Sequence, residues 1–116
     1  MSTKIEPTVL ASRQTADGIE LDLLISSDLA PLAGHFPGLP IVPGVCLLDW
    51  VVRHSVRHLS LLGEGAPRIQ IKFRRVIQPE CLVTLALHRQ SRGRVQFEYR
   101  TGDTVYASGT IAPDGP

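Results

Sequence analysis

Apolar and polar residues alternate along most of this chain, and the alternation is interrupted once by a helical pattern. Ile19, Leu21, Leu23 and Ile25 alternate with Glu20 and Asp22, the period of a half-buried strand. Val9–Arg13 is its expected partner, turned back around Asp17-Gly18. From Val45 to Leu62 the period changes. Leu48, Val51, Val52, Val56, Leu59 and Leu62 recur at spacings of three and four, which predicts a helix stopped by Gly63. Its first half is apolar nearly all round, so the helix should be buried. Four strand-like runs follow. Ile69, Ile71 and Phe73 alternate with polar neighbours until the period breaks at Arg74-Arg75, as a β-bulge would make it. Pro79-Glu80 leads into Cys81, Val83, Leu85 and Leu87; then come Val95, Phe97 and Tyr99, and, after Gly102-Asp103, Val105–Ala112. Two strands, one helix and four strands in hairpin succession predict an α+β domain: an antiparallel sheet wrapped around one long helix. An uncovered sheet edge predicts a dimer.

Length and composition narrow the class. At 116 residues, 43% hydrophobic and 20% charged, the chain reads as a single domain, 1–116, with a real core. No apolar run approaches the roughly 20 residues of a membrane span. Met1–Pro7 lacks a basic stretch followed by an apolar one, so no signal peptide is expected. Cys46 and Cys81 are too few for a disulfide framework, and a cytoplasmic protein is expected.

The formal net charge of +1 conceals a split: residues 1–49 carry a net of −4 and residues 50–116 a net of +5. Such asymmetry suggests an acidic partner, and composition does not choose between nucleic acid and a small acidic carrier protein. Aromatic residues make up only 5% and no nucleic-acid-binding motif is present, so a solvated strand face is the plain reading for most of Arg68, Lys72, Arg74, Arg75, Arg89, Arg92 and Arg94.

The candidate chemistry concentrates in Gly34-His35-Phe36-Pro37-Gly38-Leu39-Pro40-Ile41-Val42-Pro43-Gly44, which runs into the helix carrying Asp49. Prolines and glycines fix the backbone of a loop that contains a titratable His. The loop ends at a helix N-terminus, where unpaired N–H groups favour negative charge. Asp49, one turn into an apolar helix, is expected to be buried. A loop His, a helix-start oxyanion donor and an apolar-site carboxyl suit proton abstraction beside a carbonyl. His54 and His58 have a metal-compatible spacing but no third ligand, so no metal is expected and both read as solvent-facing. Cys46 reads as a packed, inert thiol.

His35-Phe36-Pro37-Gly38-Leu39-Pro40-Ile41-Val42-Pro43-Gly44 followed by Asp49 resembles the signature of the 3-hydroxyacyl-(acyl carrier protein) dehydratases of the FabZ/FabA type. Lys72-Phe73-Arg74-Arg75-Val76-Ile77-Gln78-Pro79 resembles that family's third strand and the turn after it. The short length, Lys4-Ile5-Glu6-Pro7 and Leu48-Asp49-Trp50 look most like the ApeI-like enzymes of aryl-polyene clusters. The resemblance implies a hotdog fold and a dimer, with the His of one subunit and the acid of the other at each site. It implies dehydration of a 3-hydroxyacyl thioester on acyl carrier protein, in fatty-acid or aryl-polyene/polyketide-type biosynthesis, without a cofactor. By position His35 would be the base and the Gly44 N–H the oxyanion donor, and Asp49 would protonate the departing hydroxyl or orient the water formed. Phe36, Pro43, Val45 and Arg53 would contact substrate, and Arg74, Arg75 and Lys72 would dock the carrier.

Two features depart from the family pattern. Arg53 stands where many members carry Gln, and a charge there would alter water handling, tunnel shape or pairing across the dimer. The acid is Asp, as in the isomerising FabA branch, which alone does not imply isomerase activity. The alternatives are a hotdog thioesterase, expected to lack this loop, and a non-catalytic partner of a second hotdog subunit.

Overall fold

The computed structural model describes residues 5–29, 41–59 and 67–112. His35 and Phe36, the expected helix stop at Gly63 and the last turn before it lie outside the described residues. The elements are β1 (Thr8–Gln14), β2 (Gly18–Ile25), α1 (Gly44–Leu59), β3 (Arg68–Phe73), β4 (Cys81–Arg89), β5 (Val95–Thr101) and β6 (Thr104–Ala112). The strands form one antiparallel sheet in the order β1-β2-β4-β5-β6-β3, with α1 packed on it. This is the hotdog arrangement.

Alternation sorts the two faces. Leu21, Leu23, Ile25, Val83, Leu85, Leu87, Phe97 and Tyr99 are buried against Leu47, Trp50 and Val51 of α1. The intervening residues face outward and pair across strands: Arg13 grips Asp22 with two 2.8 Å hydrogen bonds, Thr84 Oγ1 donates to the same carboxylate, and Arg100 reaches Glu20 at 2.9 Å. Arg13 holds the Asp22 carboxyl down at about 2.

Strand pairing departs from the expected hairpin succession at β3. It pairs with β6, whereas β4 inserts between β2 and β5. The link from β3 to β4 is therefore a crossing and not a tight turn. It is anchored midway, where Val42 N–H donates to the Ile77 carbonyl at 2.8 Å. The expected bulge is present: the amides of both Arg74 and Arg75 donate to the single carbonyl of Tyr106. Between β5 and β6, Thr101 pairs with Thr104 around a two-residue turn whose Gly102 has φ of 58°, a conformation Gly adopts without strain.

Candidate active site

The bulge ends β3 beside the start of α1. Ile69, Ile71 and Phe73 share the face of β3 that looks toward the helix, and Phe73, last in the series, lies over the first helical residue. A Cβ on Gly44 would come within 2.7 Å of the Phe73 ring. Beyond this contact opens a cavity of about 360 Å³, lined by Ile41, Val42, Gly44, Leu47, Phe73 and Ile77, with Arg74 and Arg75 at its edge. The N–H groups of the first helical turn have no partner within the helix, although Cys46 N–H is taken by the Pro43 carbonyl. The cavity thus joins an apolar wall to a helix start that favours a developing negative oxygen.

Arg74 and Arg75 are exposed, and neither lies within ion-pair distance of a carboxylate among the described residues. They also border an outer depression of about 500 Å³ shared with Glu98 and Asp103. Lys72 is exposed one residue before Phe73 and lines neither space. Pro43 and Val45 flank the cavity lining without joining it; Val45 is 73% exposed. Phe73, Ile41, Val42 and Ile77 line the cavity although the motif alone does not single them out. The period of β3 already put Phe73 on the helix-facing side.

Asp49 is not buried. Its side chain is half-exposed, and its Oδ2 accepts a 2.8 Å hydrogen bond from Arg53 Nε. Asp49 comes five residues after Gly44, which turns it about 140° further round the helix, and it is not among the residues lining the cavity. Within one chain the two are not brought together.

His54 corrects a second expectation. It is 1% exposed, beneath Glu6 at 3.9 Å and stacked on His58. Leu47, Trp50, Val51 and His54 follow the core-facing period of the helix, so the signal was present in the spacing. Burial above all, then the charge of Arg57, pushes the His54 pKa down to about 4 against the pull of Glu6, so the ring is neutral at pH 7. Among the described residues no cluster of three His, Cys, Asp or Glu side chains could hold a metal ion. Cys46 is buried, and burial followed by the nearby Asp49 charge pushes its thiol up, as an inert packed thiol requires. No helix among the described residues is long and apolar enough to cross a membrane.

Residues 11–110 match the family model described as ApeI-like, ApeI dehydratase. The chain belongs to the ApeI-like dehydratase family. Two curated relatives are each named 3-hydroxyacyl-[acyl-carrier-protein] dehydratase FabZ. The one from Lactobacillus helveticus is 30% identical over 70% of this chain and 64% of its own length. The one from Rhizorhabdus wittichii is 34% identical over 64% of this chain and 55% of its own. The chain thus spans a little over half the length of these relatives. Among solved structures, the dehydratase heterocomplex ApeI:P from Xenorhabdus doucetiae superposes with a TM-score of 0.79 at 24% identity, covering 92% of this chain and 96% of that one, a likeness of fold. An uncharacterized protein from Erwinia carotovora subsp. atroseptica superposes at 0.72 with 31% identity, over 91% of this ApeI-like chain and 94% of its own.

Proposed function

We propose that this chain catalyses the reversible dehydration of a 3-hydroxyacyl thioester, carried on acyl carrier protein, to the trans-2-enoyl thioester. The observation that carries the reading is the apolar cavity at the open start of α1, with Gly44 in its wall and Arg74 and Arg75 at its edge. The His-Phe-Pro-Gly-x-Pro motif leads directly into that helix start. In the reaction His35 takes the proton from C2, and the thioester oxygen that gains charge is held by the Gly44 N–H. The C2–H electrons become the C2–C3 double bond as the C3–O bond breaks. The hydroxyl then leaves as water with a proton from Asp49. Nothing is oxidised or reduced, so these steps call for no redox cofactor. An oxyanion donor of this kind contributes ~2.7 kcal/mol or more.

One chain cannot supply both ends of this site, because Asp49 does not line the cavity of its own Gly44. A dimer in which Asp49 of one subunit faces the other's cavity resolves this. Val45, Phe73 and Val76, all more than half exposed, provide apolar surface around the cavity for a second subunit to cover. A homodimer in the cytoplasm is the leading reading. The name of the Xenorhabdus heterocomplex supports a second hotdog subunit as the alternative partner. Arg74 and Arg75, bulged toward the cavity mouth, suit an acidic carrier delivering its thioester, through steering of opposite charge. Carrier-bound 3-hydroxyacyl substrates of several chain lengths, saturated and conjugated, with products read by mass, test the assignment. Loss of water supports dehydration, and release of free thiol points to hydrolysis instead.

A further inference from the structure

The residues just before β1 cross over α1 as a strap. Trp50, fully buried, donates its indole N–H to the Ile5 carbonyl at 2.9 Å, and Pro7 is buried two residues on. Glu6, between these anchors, accepts hydrogen bonds from Nη1 and Nη2 of Arg57, one on each carboxylate oxygen, at 3.2 Å. The same carboxylate lies 4.0 Å from Nη1 of Arg53, and the Nε of Arg53 donates to Asp49 Oδ2 at 2.8 Å. Asp49, Arg53 and Arg57 recur every four residues on one stripe of the helix, and Glu6 is inserted between its two arginines.

A helical Asp–Arg pair with both partners half in water is loose and held in no single geometry. A second carboxylate from another element changes that. Glu6 forms an ion pair with Arg53 across 4.0 Å without a hydrogen bond, and its charge on the Nη1 side, with Asp49 hydrogen-bonded on Nε, favours one placement of the planar guanidinium. Glu6 is itself fixed by Arg57 and by the backbone anchors at Ile5 and Pro7. Arg53 then occupies Oδ2 of Asp49 and leaves Oδ1 as the oxygen for another partner.

We infer that Glu6 is a positioning residue for Asp49, acting through Arg53. The inference rests on the reading of Asp49 as the acid of the dehydration. The strap is thereby part of the machinery that orients that acid.

The test measures kcat and KM for hydration of a crotonyl thioester by the full chain and its variants Glu6→Gln, Arg53→Gln, Glu6→Gln/Arg53→Gln and Asp49→Asn. Misplacing an acid without removing it lowers kcat, so Glu6→Gln should lose about five- to tenfold in kcat with KM within about twofold. In the Arg53→Gln background the same change should add nothing, because its route to Asp49 is already cut. Arg57→Gln, which frees Glu6 while leaving it in place, should show a smaller loss of the same kind and serves if Glu6→Gln folds poorly. Equal losses from Glu6→Gln with and without Arg53 overturn the inference, as does a parental kcat for both Glu6→Gln and Arg57→Gln. Parental kcat for Asp49→Asn overturns the underlying reading instead, so the two failures are distinguishable.

Discussion

The phenol of Tyr99, fully buried in β5, donates a 2.6 Å hydrogen bond to the carbonyl of Leu47 in the first turns of α1. It ties the start of the helix to the centre of the sheet and so sets where Gly44 opens. Burial pushes the Tyr99 pKa well up, so the hydroxyl remains a donor throughout the working range. Tyr99→Phe should cost about 1–2 kcal/mol by urea unfolding. It should lower activity more than an equally destabilising change far from α1. No change in unfolding midpoint would contradict this role.

The glycines divide by what stands over them. A Cβ on Gly18 would collide with the backbone carbonyl of Leu87, and one on Gly109 with that of Gln70. A sheet cannot move these atoms without breaking its ladder. Gly18→Ala and Gly109→Ala should each cost roughly 3 kcal/mol or more, or prevent folding. Over Gly44 the obstacle is the half-exposed Phe73 ring, which can shift. Gly44→Ala should stay within about 1 kcal/mol of the parent yet lower kcat/KM, since the methyl enters the cavity wall. Thermal unfolding of the three variants decides; Gly44→Ala as unstable as Gly18→Ala would contradict the distinction.

His54 gives the protein an acid-sensitive core. Its pKa is about 4 when folded, against roughly 6.5 in an unfolded chain. The unfolded state binds the extra proton first, so stability is full above pH 6.5 and declines as pH falls toward 4. The window is worth on the order of 3 kcal/mol at most. Asp22, held down by Arg13, acts in the same sense at lower pH: its support is lost as pH falls from 3.8 to about 2. Urea midpoints from pH 7.5 to 4.5 should fall more steeply for the parent than for His54→Leu. Parallel curves would show that His54 does not titrate in this way.

Charge reversal of Arg74 and Arg75 should raise KM for a carrier-bound substrate several-fold while leaving a small thioester analogue nearly unaffected. The salt dependence of the first should weaken in parallel. Equal loss on both substrates would place these arginines in the chemistry and not in docking.

Much of this architecture is legible in the sequence, because period-2 and period-3.6 patterns report which face of each element is buried. The Arg74-Arg75 bulge is legible for the same reason, since an extra residue breaks the period. Strand partners are not. The alternation of Ile69, Ile71 and Phe73 tells which way they face, but nothing local in it says that β3 pairs with β6. The burial of His54 is legible in its spacing, on the stripe of Leu47, Trp50 and Val51, although its residue type points to solvent. Asp49 shows another limit: position in an apolar helix does not reveal which side of that helix a single chain covers. Tyr99 announces only that a buried hydroxyl needs an acceptor. That the acceptor is Leu47 depends on how the helix is seated.

The central claim is a dehydratase site shared between two subunits, with His35 from one and Asp49 from the other. It is tested most directly by mixing. His35→Ala and Asp49→Asn chains are purified separately, shown to be folded, and assayed alone and after co-refolding, with water loss from a carrier-bound 3-hydroxyacyl substrate read by mass. Each alone should be inactive. Random pairing of the two should restore about one quarter of parental activity, since half the dimers would then hold one intact site. A mixture as inactive as its components, or either single variant turning over at the parental rate, would contradict the account.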